Sequence, residues 1–335
     1  MSMHGARSSW MHRHPVAVAV VLIITSVILG QIILKLIRGG PEPTAELVAT
    51  QNVSGVVSTS IGPGGRVLPL SVTDGSTVRL AGVPVYAATA PVTEIVSSPS
   101  GLLAVTDKSG TVSVVDSTQP KPPISQYRAP ADATPVTAAI SPDGRALAIA
   151  LSNGNVLITT GGIELQRLPA TSGTVGALIF SPDGASLAIG NSLGVVTVWH
   201  FVTQDLPAAR FPQASGVTTL SFSPTGSQLL VGTANGQALL LDASSREQLR
   251  LLASTDLTSP VTAAAFSPDG KTLAVAGKGS AALWSPPRGL GDAPTARLAA
   301  PGEIRSLTFS GDARNLIVTD SSGTVQTWRI FTRGG

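Results

Sequence analysis

Cysteine is absent from the 335 residues, and histidine occurs four times, three of them within the first fourteen positions. The chain therefore has no means of building a disulfide framework, a thiolate zinc site, an iron–sulfur cluster or a cysteine nucleophile. Imidazole chemistry is left with His200 alone outside the N-terminal segment. Aromatics make up 4% and charged residues 12%, the latter about half the usual share, while 43% of residues are apolar. Disorder driven by charge is excluded, and a large core can be buried. Glycine (35) and proline (25) are abundant without a collagen period, which points to many turns and many short strands.

The net charge of +3 does not describe a nucleic-acid surface. Before residue 44 stand Arg7, Arg13, Lys35 and Arg38 against Glu42 alone, and from there on basic and acidic residues balance. A phosphate-binding face needs clustered cations, so no nucleic-acid partner is expected. The surplus instead flanks an uncharged run, PVAVAVVLIITSVILGQIIL, from Pro15 to Leu34. About 20 helical residues span a hydrocarbon core of roughly 30 Å, so the expectation is an uncleaved single-pass transmembrane helix over 15–37 that binds the lipid bilayer. It follows a tail over 1–14 and precedes a linker over 38–43. The flanking cations tie at two each, and the histidines and terminal amine of the tail favour a cytoplasmic N-terminus with the remaining domain outside.

The rest of the chain repeats itself. VGALIFSPDGASLAIGNSLGVVTVW from Val175 recurs as VTTLSFSPTGSQLLVGTANGQALLLD from Val217 and VTAAAFSPDGKTLAVAGKGSAALW from Val261. Weaker copies begin at Val56, Val92, Val136 and Ile304. Their turns align at Pro63, Pro99, Pro142, Pro182, Pro224, Pro268 and Gly311, in steps of 36 to 44 residues. Each unit reads as three short strands separated by tight turns, with a looser fourth, the period of a propeller blade. The expected fold is all-β, a seven-bladed β-propeller of four-stranded blades over 44–335 behind the transmembrane α-helix. The unassigned strand AELVAT, Ala45–Thr50, is expected to complete the last blade and close the ring, leaving no free sheet end.

At FSPDG (180–184 and 266–270), FSPTG (222–226) and the third-strand tryptophans Trp199, Trp284 and Trp328, the chain resembles the WD-repeat propeller family. The family's Gly-His before the first strand is absent, and its Trp-Asp pair survives only as Trp199-His200, Trp284-Ser285, Trp328-Arg329, Leu241-Asp242 and Val115-Asp116. The resemblance implies a non-catalytic scaffold or accessory subunit that meets protein partners through faces and loops, here at a membrane.

The recurring Asp143, Asp183 and Asp269 have a structural role as turn caps. No catalytic residue, cofactor or metal site is expected. Two other readings stay open: an exported ligand-binding propeller, and a metal-dependent hydrolase of lactonase type for which Glu94, Asp107 and Glu303 would have to converge. His200 reads as a surface or turn residue, with no G-x-S-x-G elbow or H-E-x-x-H helix expected to partner it. The longest connections, 117–135, 203–214 and 285–302, offer Tyr127, Arg128, Phe211 and Arg288 as partner-binding residues, types enriched among interface anchors.

Overall fold

The computed structural model describes residues 45–53, 56–61, 67–98, 101–117, 122–169, 172–201, 207–212, 215–285 and 289–331. The chain divides into two compact units, Met1–Pro43 and Thr44–Gly335, and the first lies outside the described residues.

Strand β1 (Ala45–Asn52) is followed by five antiparallel four-stranded sheets. The first holds β2 (Val56–Ile61), β3 (Val67–Thr73), β4 (Thr77–Leu80) and β5 (Val83–Ala87). The second holds β6 (Val92–Ser97), β7 (Leu102–Asp107), β8 (Thr111–Asp116) and β9 (Ser125–Arg128). The third comprises β10 (Pro135–Ile140), β11 (Ala146–Leu151), β12 (Val156–Thr160) and β13 (Ile163–Leu168). The fourth comprises β14 (Val175–Phe180), β15 (Ser186–Asn191), β16 (Val195–His200) and β17 (Pro207–Pro212). The fifth comprises β18 (Val217–Phe222), β19 (Gln228–Thr233), β20 (Gln237–Asp242) and β21 (Arg250–Asp256). Then come β22 (Ala263–Phe266), β23 (Leu273–Trp284), a short 3-10 helix (Gly289–Gly291), β24 (Ala296–Phe309), β25 (Asn315–Asp320) and β26 (Thr324–Ile330).

These last strands correct the expectation of seven four-stranded blades. The propeller has six sheets, and the sixth is six-stranded, in the order β1-β26-β25-β24-β23-β22, so that one blade carries both the sixth and the seventh repeats. The cause is local. Where other repeats turn between second and third strands, β23 runs on through Gly277-Lys278-Gly279, pairing β22 with its first half and β24 with its second. β24 in turn runs on to pair β25 through Ile304–Phe309, so no loop separates the two repeats.

The expected membrane helix is corrected as well. No helix among the described residues is long and apolar enough to cross a membrane, and 15–37 lies outside them. Single-pass localisation, bilayer binding and a cytoplasmic N-terminus are therefore not supported by any element among the described residues.

Ring closure follows the expectation: β1 pairs antiparallel with β26, from Ala45↔Ile330 to Asn52↔Thr324. The first strands of successive repeats lie side by side, β2 with β6 and so on to β22 and β24, and β24 returns to β2. The second strands are the most buried, as in β15, where all six residues are inaccessible. Val, Ile and Leu on alternate positions of each strand enter clusters between neighbouring sheets, so the core is a series of inter-blade layers. Between the fourth and fifth sheets it contains Val196, Val198, Leu220, Phe222, Leu229, Val231 and Leu239.

Candidate functional site

Five turns between first and second strands share one hydrogen-bond pattern. In the third sheet the Ser141 hydroxyl donates to Asp143 Oδ1 (2.6 Å), which also accepts the Arg145 amide (3.0 Å), while Ser141 Oγ accepts the Ala146 amide (2.9 Å). Ser181–Asp183, Ser267–Asp269 and Ser310–Asp312 repeat it, and Thr225 stands for the Asp beside Ser223. The serine bond, then the backbone amide, holds the Asp143, Asp183 and Asp312 carboxyls below the usual range. These aspartates cap turns, as their recurrence implies.

The hairpins joining second and third strands hold a further set. Asp107 Oδ1 accepts from the Ser109 amide (2.9 Å), the Ser109 hydroxyl (2.5 Å) and the Thr111 amide (3.2 Å), and Oδ2 from the Thr89 hydroxyl (3.1 Å). Burial pushes this carboxyl up, but the hydrogen bonds outweigh it and leave the group below its ordinary value. Asp320 receives Ser322, Thr324 and the Gly302 amide in the same way. Asn191 accepts the Leu193 and Val195 amides and donates Nδ2–H to the Ser172 carbonyl (2.8 Å). Thr89 and Ser172 precede the first strand of their repeats, and Gly302 lies within β24 just before the part that pairs β25, the place of the missing Gly-His. The tie from hairpin to preceding connection is therefore kept with other donors and acceptors.

Contrary to the expectation of no G-x-S-x-G segment, Gly190-Asn191-Ser192-Leu193-Gly194 has the spacing of a serine nucleophile elbow. The structure places it in the β15–β16 hairpin, a strand-to-strand turn in which Ser192 Oγ accepts the Thr174 amide (3.1 Å). An elbow requires a strand leading into a helix.

Glu94, Asp107 and Glu303 do not converge. Glu303 is exposed on β24, Asp107 is committed to its hairpin, and among the described residues no group of three or more His, Asp or Glu side chains is placed to hold a metal ion. Glu94 is the unusual one. It lies half-buried on β6, its Oε1 accepts the Thr137 hydroxyl of β10 (2.8 Å), and its Oε2 is buried with no partner. Burial raises its pKa to about 7, against the Thr137 hydroxyl and the Ala138 amide, which lower it.

Glu94 belongs to a polar sector that sequence reasoning missed. On the neighbouring first strands, Thr59 Oγ1 and Thr308 Oγ1 share a hydrogen bond (2.7 Å) and the Ser97 hydroxyl donates to the Thr59 carbonyl (3.4 Å). The buried hydroxyls of Ser60, Ser306 and Thr319 have no partner. Ser58, Glu94, Thr137 and Ser306 all stand five residues before the turn position of their repeats, where the fourth and sixth have Ala177 and Ala263. That register was the available signal.

His200 is half-buried at the end of β16; its Nδ1 meets Ser186 Oγ (2.6 Å) and its Nε2 is buried without a partner. Burial first, then Arg246, lowers its pKa, with Asp183 opposing.

The expected partner residues are placed differently from one another. Tyr127 and Arg128 sit on β9 and Phe211 on β17, because each long connection contains the fourth strand of its blade. Tyr127 packs on the layer between second and third sheets and Phe211 on that between fourth and fifth, while Arg128 is exposed. Arg288 lies outside the described residues. Tyr127 and Phe211 pack on different inter-sheet layers, so these described residues do not form one site.

Comparison with known proteins agrees with this architecture. The family described as "WD domain, G-beta repeat" matches residues 207–242 and 247–285. Periodic tryptophan protein 2 homolog of Schizosaccharomyces pombe is 28% identical over 170 residues, 48% of this chain and 19% of that protein. Pre-mRNA-processing factor 19 of Oryza sativa subsp. japonica is 27% identical over 167 residues, 47% of this chain and 31% of that protein. Protein LST8 homolog of Drosophila melanogaster is 28% identical over 157 residues, 45% of this chain and 50% of that protein. The chain thus spans between a fifth and a half of these relatives. A chain in the crystal structure of the mitotic checkpoint complex superposes with a TM-score of 0.71 at 17% identity, covering 88% of this chain and 98% of that one. At that identity the likeness shows the fold alone.

Proposed function

Since the chain is a WD-repeat β-propeller, we propose that it acts as a non-catalytic protein-interaction scaffold. The observation that supports this reading is the use of its carboxylates. Asp107, Asp143, Asp183, Asp269, Asp312 and Asp320 are all engaged in holding turns, which leaves faces, rim and connections for recognition. Tyr127, Arg128, Phe211 and Arg288 belong to the partner surface in this reading. A rigid disc with a near-neutral surface selects partners by shape and a few anchors more than by electrostatic steering.

The test is affinity purification of the tagged full chain followed by mass spectrometry. A protein recovered in near-stoichiometric amount, and lost when the 122–128 segment is altered, supports the scaffold. A chain that purifies alone counts against it.

One observation favours a second reading. The unpaired Glu94 Oε2 would suit a small hydrogen-bond donor lodged at the inner strands, in which case Glu94→Gln abolishes ligand binding without unfolding the propeller.

A further inference from the structure

Five large aliphatic side chains among the described residues are at least 60% exposed: Val83, Ile124, Ile163, Leu165 and Leu193. Leu193 stands apart in the β15–β16 hairpin. The other four belong to the outermost strands of three consecutive sheets. Val83 opens β5, Ile124 immediately precedes β9, and Ile163 opens β13, so the three occupy equivalent ends of neighbouring blades. The corresponding residues of the fifth and sixth sheets are Arg250 and Ala296, and among the described side chains the most exposed large aliphatic on any other outer strand is Val48, at 48%.

The arc is built, not incidental. The Ile124 amide is pinned to the Val114 carbonyl (2.7 Å). Gln126 donates to Ser113 Oγ (3.1 Å), which accepts the Tyr86 hydroxyl of β5 (2.9 Å), tying the first outer strand to the second. Gly162 lies so close to β9 that an added Cβ would come within 2.6 Å of the Gln126 carbonyl, bringing the turn before β13 against the second outer strand.

The charges of this rim decide what it fits. Glu164 and Arg167 pair in a two-point contact (3.0 and 3.1 Å), and Asp132 lies close enough to Arg167 to act on it. Arg128 has no ion-pair partner among the described residues and shares the exposed face of β9 with Ile124 and Gln126. We infer that the arc Val83–Ile124–Ile163, with Leu165 and Arg128, docks a protein segment that presents aliphatic side chains beside a carboxylate. Aliphatic contact supplies burial and Arg128 supplies direction, since a cation next to exposed apolar surface selects against basic segments.

This inference rests on the scaffold reading, and its test separates the two. Two fluorescein-labelled amphipathic leucine-rich peptides, identical except for Glu in one and Lys in the other, are titrated against the full chain. The Glu peptide should bind about tenfold more tightly, Ile124→Asp with Ile163→Asp should remove at least that factor, Arg128→Glu should reverse the preference, and Leu193→Asp should change nothing. Equal binding of both peptides, no binding of either, or equal weakening by Leu193→Asp overturns the inference. In the purification above, a partner retained by the Ile124→Asp, Ile163→Asp protein also overturns it while leaving the scaffold standing. If no partner is recovered, the scaffold falls and the arc is decided by the peptides.

Discussion

Two junctions of the same ring are held by different means. Between the fourth and fifth repeats, Val196, Val198, Leu220, Phe222, Leu229 and their neighbours form a continuous apolar layer. Between the last repeat and the first, the buried apolar cluster among the described side chains consists of Ile317 and Val325, with Val53 and Val67 partly buried against them. Beside that cluster the described residues of the seam have the Thr59–Thr308 hydrogen bond and the unpartnered hydroxyls of Ser306 and Thr319, which stand opposite each other in the β24–β25 register. Among the described residues, the non-glycine positions with left-handed backbone are Asp74, Ala81 and Ala313, in turns of the first and last repeats. Backbone pairing of β1 with β26 lies inside the last sheet and, because β1 precedes β2 in the chain, ties that sheet to the first by chain continuity.

The comparison can be broken first at its strong side. Leu229 is fully buried in the fourth–fifth layer, and Leu229→Ala should lower unfolding stability by about 2–5 kcal/mol in urea titrations, whereas Val325→Ala at the seam should cost about 1 kcal/mol. Equal losses would mean that the seam is packed as well as the rest. A second test is pH. The folded pKa of Glu94, about 7, lies above its ordinary 4.5, so its favourable contribution is complete below about pH 4.5 and is lost as pH rises through 7. Glu94→Gln should raise the thermal midpoint by several degrees at pH 8 and leave it nearly unchanged at pH 5, as followed by circular dichroism.

A matched pair of threonines sharpens the contrast further. The Thr233 hydroxyl donates to Asn235 Oδ1 (2.6 Å) and accepts the Gln237 amide (3.0 Å), whereas that of Thr319 bonds to nothing. Thr233→Val should destabilise by about 1–2 kcal/mol and Thr319→Val should stabilise by about 1 kcal/mol, opposite signs for one substitution. The smallest effect is at Ala313 (φ 59), which stands where five other described turns have glycine, and Ala313→Gly should gain about 0.5–1 kcal/mol by relieving a left-handed backbone.

Much of this was legible in the sequence. The Ser-Pro-Asp-Gly turns, the strand period and the closing role of Ala45–Thr50 follow from residues whose local chemistry is decisive, as proline, aspartate and glycine are at turns. The merger of two repeats was not, because Gly277-Lys278-Gly279 reads as a hairpin and whether an extended chain turns or runs on depends on the strands beside it. The seam was hidden for a related reason. Threonine and serine are ordinary in strands, and nothing at Thr319 tells that the facing repeat lacks an acceptor. Glu94 was singled out, but for a convergence with Asp107 and Glu303 that the structure does not contain. Its isolation depends on which strand lies opposite, a property of the fold and not of the residue.

The β1–β26 pairing bears on synthesis. Its partners Ala45 and Ile330 stand at opposite ends of the described chain, so this ladder is the most non-local in the molecule. The first five sheets are made of hairpins between neighbouring strands and can form in order as the chain leaves the ribosome. β1 emerges before all of them and must wait with an open edge until β26 is made. Closure is then a slow final step governed by the search of one strand for a distant partner, and the unpaired edge is the stretch through which an incomplete chain would join another.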